Sequence, residues 1–182
     1  MYGQGMPHDT RGPEHDERLI RAHALVIDVL DTLLVAEGAA LDRAIDGALE
    51  RIGEFAGVDR ACVFQIRGCD TLFDNTHEWA APGIAPMLEE LQSQPVDLIR
   101  PWLDDLKRGR EIQVHDVAAM PDTHPLKASL YDQSIRSLVI VPMLHGSRVT
   151  GLVGFDSVRE KRLFPEAEIR LLVNGQATRA GI

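Results

Sequence analysis

The sequence contains little cysteine and comparatively little positive charge. Among its 182 residues are two cysteines, Cys62 and Cys69, which are too few and too close together to form a disulfide framework. Lys and Arg number 19 against 28 Asp and Glu, so the formal net charge is -9 and a basic face for nucleic acid is not expected. The same acidic balance argues against binding to an anionic membrane surface.

A long hydrophobic run is also missing. The most apolar stretch, residues 24–36, is interrupted by Asp28 and Asp31 and is too short to span a bilayer. A signal peptide would begin with a basic region, but the residues before this stretch are acidic and contain Pro and Gly. We therefore expect a soluble, cytoplasmic protein that binds neither nucleic acid nor membranes.

The pattern of apolar residues divides the chain into three segments. Residues 1–15 have almost no apolar content and several helix breakers, which predicts a disordered tail. Over residues 16–38, apolar pairs recur at a spacing of seven, which predicts a helix. Burial against its own domain and parallel pairing with a second copy explain this stripe equally well. Residues 41–182 then form one domain.

This domain is predicted to be an antiparallel sheet between helices. Residues 41–56 form an amphipathic helix, and two pairs of strands, 61–67 with 71–80 and 137–144 with 148–158, are joined by short polar turns. The other predicted elements are two short helices within 84–109, the first beginning near Pro86, a strand at 111–117, a helix at 126–131 and a helix from Pro165. The expected fold is an α/β (α+β) sandwich, in which the N- and C-terminal helices cover one face of the sheet. Short helices and loops roof a pocket on the other face.

The last two strands carry the most distinctive sequence. Residues 137–144 (SLVIVPML), a short Gly turn and residues 149–157 (VTGLVGFDS) resemble the closing hairpin of GAF domains. Gly151 and Gly154 lie inside the second strand, where a missing side chain lets another group approach the backbone. Residues 75–79 (NTHEW) resemble the second strand of a bacterial signalling and sensor subset of this family. The resemblance covers roughly residues 41–180.

The resemblance implies a sensory or dimerising module. In GAF domains the flanking helices join neighbouring chains, and the opposite face of the sheet carries a pocket for a small molecule or chromophore. The helical pattern at 16–38 fits pairing with a second copy, so we expect a homodimer formed through the N- and C-terminal helices. No catalytic output domain is recognisable in the chain, which leaves open whether the domain acts within a larger signalling protein or alone.

The adjacent His77 and Glu78 raise the question of catalysis. A zinc-protease motif requires a second histidine at the position occupied by Ala81, and the cysteine pair of a zinc deaminase is missing. The other histidines of the domain, His115, His124 and His145, are typical of solvated loop and turn positions. We therefore expect no metal site and no catalytic residue.

Three specialised branches of the family are compared by their motifs. The free-methionine sulfoxide reductases use cysteines around the pocket loop, but residues 117–136 contain none, Cys62 lies in a core strand and Cys69 in a turn. A bilin-binding domain needs a cysteine for attachment, and residues 124–133 offer only a histidine. The signature of the cyclic-nucleotide-binding branch is also missing, so no cofactor is expected.

The remaining prediction is a sensor that binds a small molecule non-covalently and relays its state through dimeric flanking helices. Polar groups for orienting the ligand are Glu78, Asp116 and Arg136. The predicted aromatic contacts are Trp79, Phe64 and Phe155. Two alternatives stay open: a dimerisation module without a ligand, and a reductase of the methionine sulfoxide type.

Overall fold

The computed structural model describes residues 13–165 of the chain. Two helices come first, α1 at Pro13–Val35 and α2 at Ala39–Ala56. The predicted tail at 1–15 and the predicted helix after Pro165 therefore lie largely outside the described residues. No helix in the described range is long and apolar enough to cross a membrane.

The two N-terminal helices are consecutive and separated at Gly38, whose φ of +52° favours glycine. The α1 helix packs against α2 with one face, on which Ala22 and Val29 are buried. The α2 helix packs its own apolar face against the sheet. It ends at Gly57 in the left-handed conformation, as its sequence predicts.

Within the described part of the chain, the sheet has six antiparallel strands in the order β3-β2-β1-β6-β5-β4. The predicted hairpins are β1 with β2 and β5 with β6, and the pairing of β1 with β6 joins them at the centre of the sheet. The strands span Arg60–Arg67 (β1), Leu72–Ala80 (β2), Gln94–Pro95 (β3), Ile112–Val114 (β4), Ser137–His145 (β5) and Arg148–Ser157 (β6).

Each face of the sheet supports a separate core. The helix-side core lies between the sheet and α2 and includes Leu49, Ala61, Val139, Val153 and Phe155. The roof-side core lies under the short elements between β2 and β5 and includes Phe73, Ile99, Leu106, Leu138 and Leu152. Alternate residues of β5 and β6 enter opposite cores, which is why these strands are apolar on both faces.

The roof consists of short pieces. A 3-10 helix at Val96–Trp102 continues into α3 at Leu103–Lys107. A second 3-10 helix at Val117–Ala119 and α4 at Lys127–Asp132 follow β4. The fold class predicted from the sequence is thus confirmed, with a central antiparallel sheet, a helical layer and a roof of short helices and loops.

Two predicted elements of the roof differ from the structure. The helix expected to begin near Pro86 does not form, and residues 84–93 are turns and irregular backbone. Side-chain and backbone contacts from β2 hold this segment, because Glu78 accepts a hydrogen bond from the Met87 amide and the Asn75 amide donates to the Leu91 carbonyl. The strand predicted at 111–117 stops at Val114, because the next residues turn into a 3-10 helix.

Candidate functional site

A cavity of about 60 Å³ lies between the roof side of the sheet and the roof elements. Its floor includes Phe64, Leu138, Ile140, Leu152, Gly154 and Asp156. Its roof includes Leu98, Ile99, Leu126, Leu130, Ser129 and Gln133. Most of this lining is aliphatic or aromatic, so the cavity is an apolar chamber with a few polar groups.

The two glycines of β6 shape the floor in different ways. A Cβ at Gly151 would lie 2.4 Å from the Phe64 carbonyl oxygen, so the backbones of β1 and β6 approach closely there. A Cβ at Gly154 would lie 3.6 Å from Cε2 of Phe64, which is an ordinary contact. The missing side chain at Gly154, opposite Cys62 and Ile140 in the neighbouring strands, contributes open space to the cavity. The close approach predicted for this strand is confirmed at Gly151.

Asp156 is the one carboxylate among the described residues that line the cavity. Its Oδ2 accepts a hydrogen bond from Nε of Arg60 at 3.3 Å, and Nη1 of Arg60 donates to the Ala85 carbonyl of the roof at 3.4 Å. Burial raises the pKa of Asp156 to about 6, with a smaller rise from the charges of Glu78 and Asp59 and an opposing effect of Arg60. The floor therefore ends in a carboxylate that takes up a proton at a higher pH than an ordinary Asp side chain.

This carboxylate belongs to a wider set of buried and half-buried polar groups, which we call the polar floor. It consists of Arg60, Cys62, Asn75, Glu78 and Asp156. Asn75 donates from Nδ2 to Oε2 of Glu78 at 2.6 Å, and Oε1 of Glu78 accepts from the Met87 amide at 2.7 Å. Nη2 of Arg60 and Oδ1 of Asn75 are buried and have no hydrogen-bond partner among the described residues.

The polar floor also contains the thiol of Cys62. Burial raises its pKa well above the ordinary value, and the nearby charges of Asp156 and Glu78 raise it further. A thiol in this environment stays protonated at neutral pH, so it is a poor nucleophile. Among the described residues, no group of three or more His, Cys, Asp or Glu side chains is placed to hold a metal ion.

The predicted site residues separate by strand face. Phe64 lines the cavity as predicted, and Glu78 lies nearby in the polar floor. Trp79 and Phe155, expected as ligand contacts, do not line this cavity, because both side chains belong to the helix-side core. The Trp79 ring lies against Gly53 of α2, and His77, on the same face of β2, places Nε2 3.4 Å from Oδ1 of Asp42.

Asp116 and Arg136 lie outside the cavity lining. Asp116 accepts a hydrogen bond from the Ala118 amide at 3.0 Å and forms an ion pair with Lys161. These contacts hold the pKa of Asp116 below its usual value, with Lys161 as the main cause. Arg136 donates from Nε to the Val158 carbonyl at 3.0 Å. Both residues hold together the segments before β5 and after β6, and neither is among the residues that line the cavity.

Three residues of the polar floor were not predicted from the sequence as site residues: Asp156, Arg60 and Asn75. The sequence did contain one signal for Asp156, which is a charged residue inside an apolar strand, two positions after Gly154. Strand alternation places it on the same face as Gly154 and opposite to Phe155. Arg60 and Asn75 had no comparable signal, since their burial depends on the pairing of β1 with both neighbours.

The chain belongs to the GAF domain family, whose model matches residues 40–182. A curated relative is the methanogenesis regulatory histidine kinase FilI of Methanothrix harundinacea, which is 30% identical over 156 residues. The aligned region is 78% of this chain and 17% of that kinase, so the chain spans a small part of the length of this relative. The predicted family is thus confirmed. The chain is a GAF domain of the kind found in sensory and regulatory proteins.

Solved structures confirm the fold. The chromophore-binding domain of a Stigmatella aurantiaca phytochrome has a TM-score of 0.72 at 12% identity, covering 98% of this chain and 63% of that one. A phycocyanobilin-bound GAF domain from a cyanobacterial phytochrome has a TM-score of 0.72 at 18% identity, with coverage of 86% and 92%. A GAF domain from Synechocystis in its photoproduct state has a TM-score of 0.65 at 22% identity, with coverage of 77% and 91%.

Proposed function

We propose that this chain is a cytoplasmic sensory GAF domain of a signal-transduction protein and that it binds a small molecule non-covalently in the roof-side cavity. The observation that carries the proposal is the apolar cavity above Gly154, which has a buried carboxylate at one end. Apolar walls with a few oriented polar groups are typical of small-molecule sites. The regulatory histidine kinase among the relatives supports a signalling context.

The size of the cavity restricts the ligand. Its volume of about 60 Å³ is less than half of the roughly 150 Å³ of an engineered cavity that binds benzene. A bilin is a tetrapyrrole and does not fit this space. The residues 124–133, where a bilin would be attached, also contain no cysteine. The bilins named for the structural neighbours are therefore not proposed as ligands of this chain.

The strands β1 and β2 offer a route from the cavity to the helices. Phe64 of β1 lines the cavity, whereas its neighbour Val63 packs in the helix-side core. On β2, Glu78 holds the roof at the Met87 amide, and the next residue, Trp79, packs on α2. A ligand that favours one arrangement of the roof would thereby favour one position of α2 through these strands.

The ligand-binding proposal is tested by NMR titration with 1-propanol, a compact neutral probe. We expect chemical-shift changes at amides that line the cavity, and we expect Gly154→Ala to weaken binding because its methyl group occupies part of the space. Gly47→Ala is the matched control, since a Cβ there has no atom within 4 Å and lies on α2, away from the cavity. Shift changes that are absent, scattered over the surface or equal in the two variants would contradict the proposal.

We also propose that α1 joins two copies of the chain. Ile20, Ile27 and Leu34 are spaced by seven residues and are 67%, 60% and 60% exposed, although Ala22 and Val29 of the same helix are buried. Exposed aliphatic residues at this spacing are typical of a coiled-coil seam. A second copy of α1 presents the same stripe and is therefore the proposed partner.

Light scattering tests this dimer. We expect the full chain to be dimeric and Ile27→Asp to be monomeric at the same concentration, because the substitution places a charge in the seam. Thr32→Asp is the control, since Thr32 is exposed on α1 outside the stripe. A monomeric wild-type chain, or an Ile27→Asp variant that stays dimeric, would show that α1 does not form the interface.

We propose no enzymatic role for the chain. The Cys62 thiol is buried and has a raised pKa, and Cys69 is exposed in the turn between β1 and β2. The double variant Cys62→Ala and Cys69→Ser tests the reductase alternative. Reduction of free methionine sulfoxide by the wild-type chain that is lost in this variant would contradict the proposal.

A further inference from the structure

One of the two carboxylate oxygens of Asp156, a residue that lines the cavity, accepts no hydrogen bond from the described residues. Oδ2 accepts the hydrogen bond from Arg60, whereas Oδ1 accepts none from the described residues. Oδ1 is not fully enclosed, and Asp156 lines the cavity. The side chain is otherwise buried, with the whole residue 9% exposed. An unpaired acceptor at the end of an apolar chamber is a position for a ligand that donates a hydrogen bond.

The charges around this oxygen favour a cation over an anion. Glu78 and Asp59 both act on Asp156 as negative charges, and Arg60 is the positive charge that opposes them. Asp59 is itself paired with Arg159 at 2.7 Å. The polar floor thus contains one positive side chain, Arg60, and two carboxylates, Asp156 and Glu78, so it carries one excess negative charge when both are ionised.

The roof of the cavity does not compensate this charge. The polar residues that line the roof are Gln94, Ser129 and Gln133, none of which titrates near neutral pH. Cys62, the other titratable group of β1 near Asp156, is a neutral thiol. Among the lining residues within 13–165, no positive side chain would stand between an entering positive group and the carboxylate.

On the basis of the proposed function, we propose that the cavity selects a compact primary ammonium ion. The nitrogen donates a hydrogen bond to Oδ1 of Asp156, and a short alkyl body fills the space above Gly154. The volume of about 60 Å³ limits this body to a few carbon atoms. A carboxylate of the same size is excluded, because it would add a third negative charge beside Asp156 and Glu78.

This assignment couples ligand binding to protonation. The ammonium ion and a proton compete for the same carboxylate, which has a pKa of about 6. Between pH 7.5 and pH 5 the ionised fraction of Asp156 falls about tenfold, and the affinity for the ammonium ion falls by about the same factor. The affinity for a neutral alcohol does not depend on this ionisation.

The experiment compares propylammonium chloride, 1-propanol and sodium propionate by NMR titration of the full chain at pH 7.5 and constant ionic strength. We expect the ammonium ion to bind about tenfold more tightly than the alcohol, because a hydrogen bond to a charged group is stronger than a neutral one. Propionate should not bind in the cavity. Asp156→Asn should remove the preference for the ammonium ion and keep the binding of 1-propanol.

Two further measurements keep the test decisive if Asp156→Asn does not fold. Gly154→Ala should weaken the ammonium ion and the alcohol by the same factor, since it changes space and not charge. Lowering the pH to 5 should weaken the ammonium ion alone. Equal binding of ammonium and alcohol, or an affinity for the ammonium ion that does not change with pH, would overturn the inference and leave the proposed function standing. Failure of both probes to bind in the cavity would contradict both.

Discussion

The contact between Gly53 and Trp79 gives the sharpest prediction for the helix layer. Gly53 lies in α2, and a Cβ added there would be 2.4 Å from Cζ3 and 2.5 Å from Cε3 of the Trp79 ring. Ordinary carbon–carbon contacts are about 3.5–4.0 Å, so the ring or the helix would have to move by about 1 Å. We therefore predict that Gly53→Ala destabilises the domain, although alanine is the better helix former.

The expected magnitude is the difference between two effects. Replacing glycine by alanine inside a helix stabilises by about 0.5–1 kcal/mol, whereas an extra carbon in a well-packed core costs about 1–3 kcal/mol. Taken at the middle of both ranges, Gly53→Ala should therefore lower the free energy of unfolding by about 1 kcal/mol. Gly47→Ala in the same helix has no atom within 4 Å of the new Cβ and should raise it by about 0.5–1 kcal/mol.

Urea denaturation of the two variants measures this difference directly. The midpoint of Gly53→Ala should fall below that of the wild type, and the midpoint of Gly47→Ala should rise above it, with unchanged slopes. Combining Gly53→Ala with Trp79→Leu should cost less than the sum of the two single substitutions, because the clash is removed. The packing described here is refuted if Gly53→Ala is as stable as Gly47→Ala.

Three other predictions concern charged side chains. The pKa of Asp156 is raised to about 6 in the folded protein, so the folded state binds a proton more readily than the unfolded state. The contribution of Asp156 to stability should therefore increase as the pH falls from 7 toward 4, by up to about 3 kcal/mol. Asp156→Asn should remove this part of the pH dependence of the urea midpoint. Asp59→Ala removes the acceptor of the Val158 and Arg159 amides and should lower the free energy of unfolding by about 2–4 kcal/mol in the same assay. As a control, removal of the exposed Asp70–Arg148 pair should leave the urea midpoint unchanged. Glu78→Ala should speed hydrogen exchange at the Met87 amide and leave the Ser93 amide, which Asp74 holds, unaffected; equal changes at both amides would contradict the role given to Glu78.

The elements that the sequence predicted well are those whose signals are local. The helix expected at 41–56 is observed at Ala39–Ala56, since its signals, the apolar spacing and the Gly57 that ends it, lie in the helix and directly after it. The strands expected at 137–144 and 148–158 are observed at Ser137–His145 and Arg148–Ser157. Their β-branched residues and the short turn between them specify a hairpin without reference to the rest of the chain.

The elements that were missed depend on distant contacts. Pro86 is suitable for the first turn of a helix, but the Met87 amide is bound by Glu78, a side chain on a strand nine residues earlier. The short strand at Gln94–Pro95 exists because it pairs with Leu72 and Phe73 at the edge of the sheet. Neither contact has a signal in the residues of the segment itself.

The candidate site shows the same division. Alternation along β2 correctly placed His77 and Trp79 on one face and Glu78 on the other, but it did not tell which face carries α2. Phe64 was predicted and lines the cavity, whereas Trp79 and Phe155 face the helix layer. The orientation of a strand is a relation between elements, so its own sequence leaves the two faces equivalent.

The sequence by itself determined the GAF fold, because hydrophobic periodicity, turn residues and the glycine-containing hairpin are properties of short segments. The tertiary structure alone decided that Asp156, Arg60, Asn75 and Glu78 meet on one face of the sheet, since these residues come from three different strands. It also decided the volume of the cavity, which depends on how the roof packs over Gly154. The raised pKa of the buried carboxylate also depends on that packing, because all the groups around it together exclude water from it.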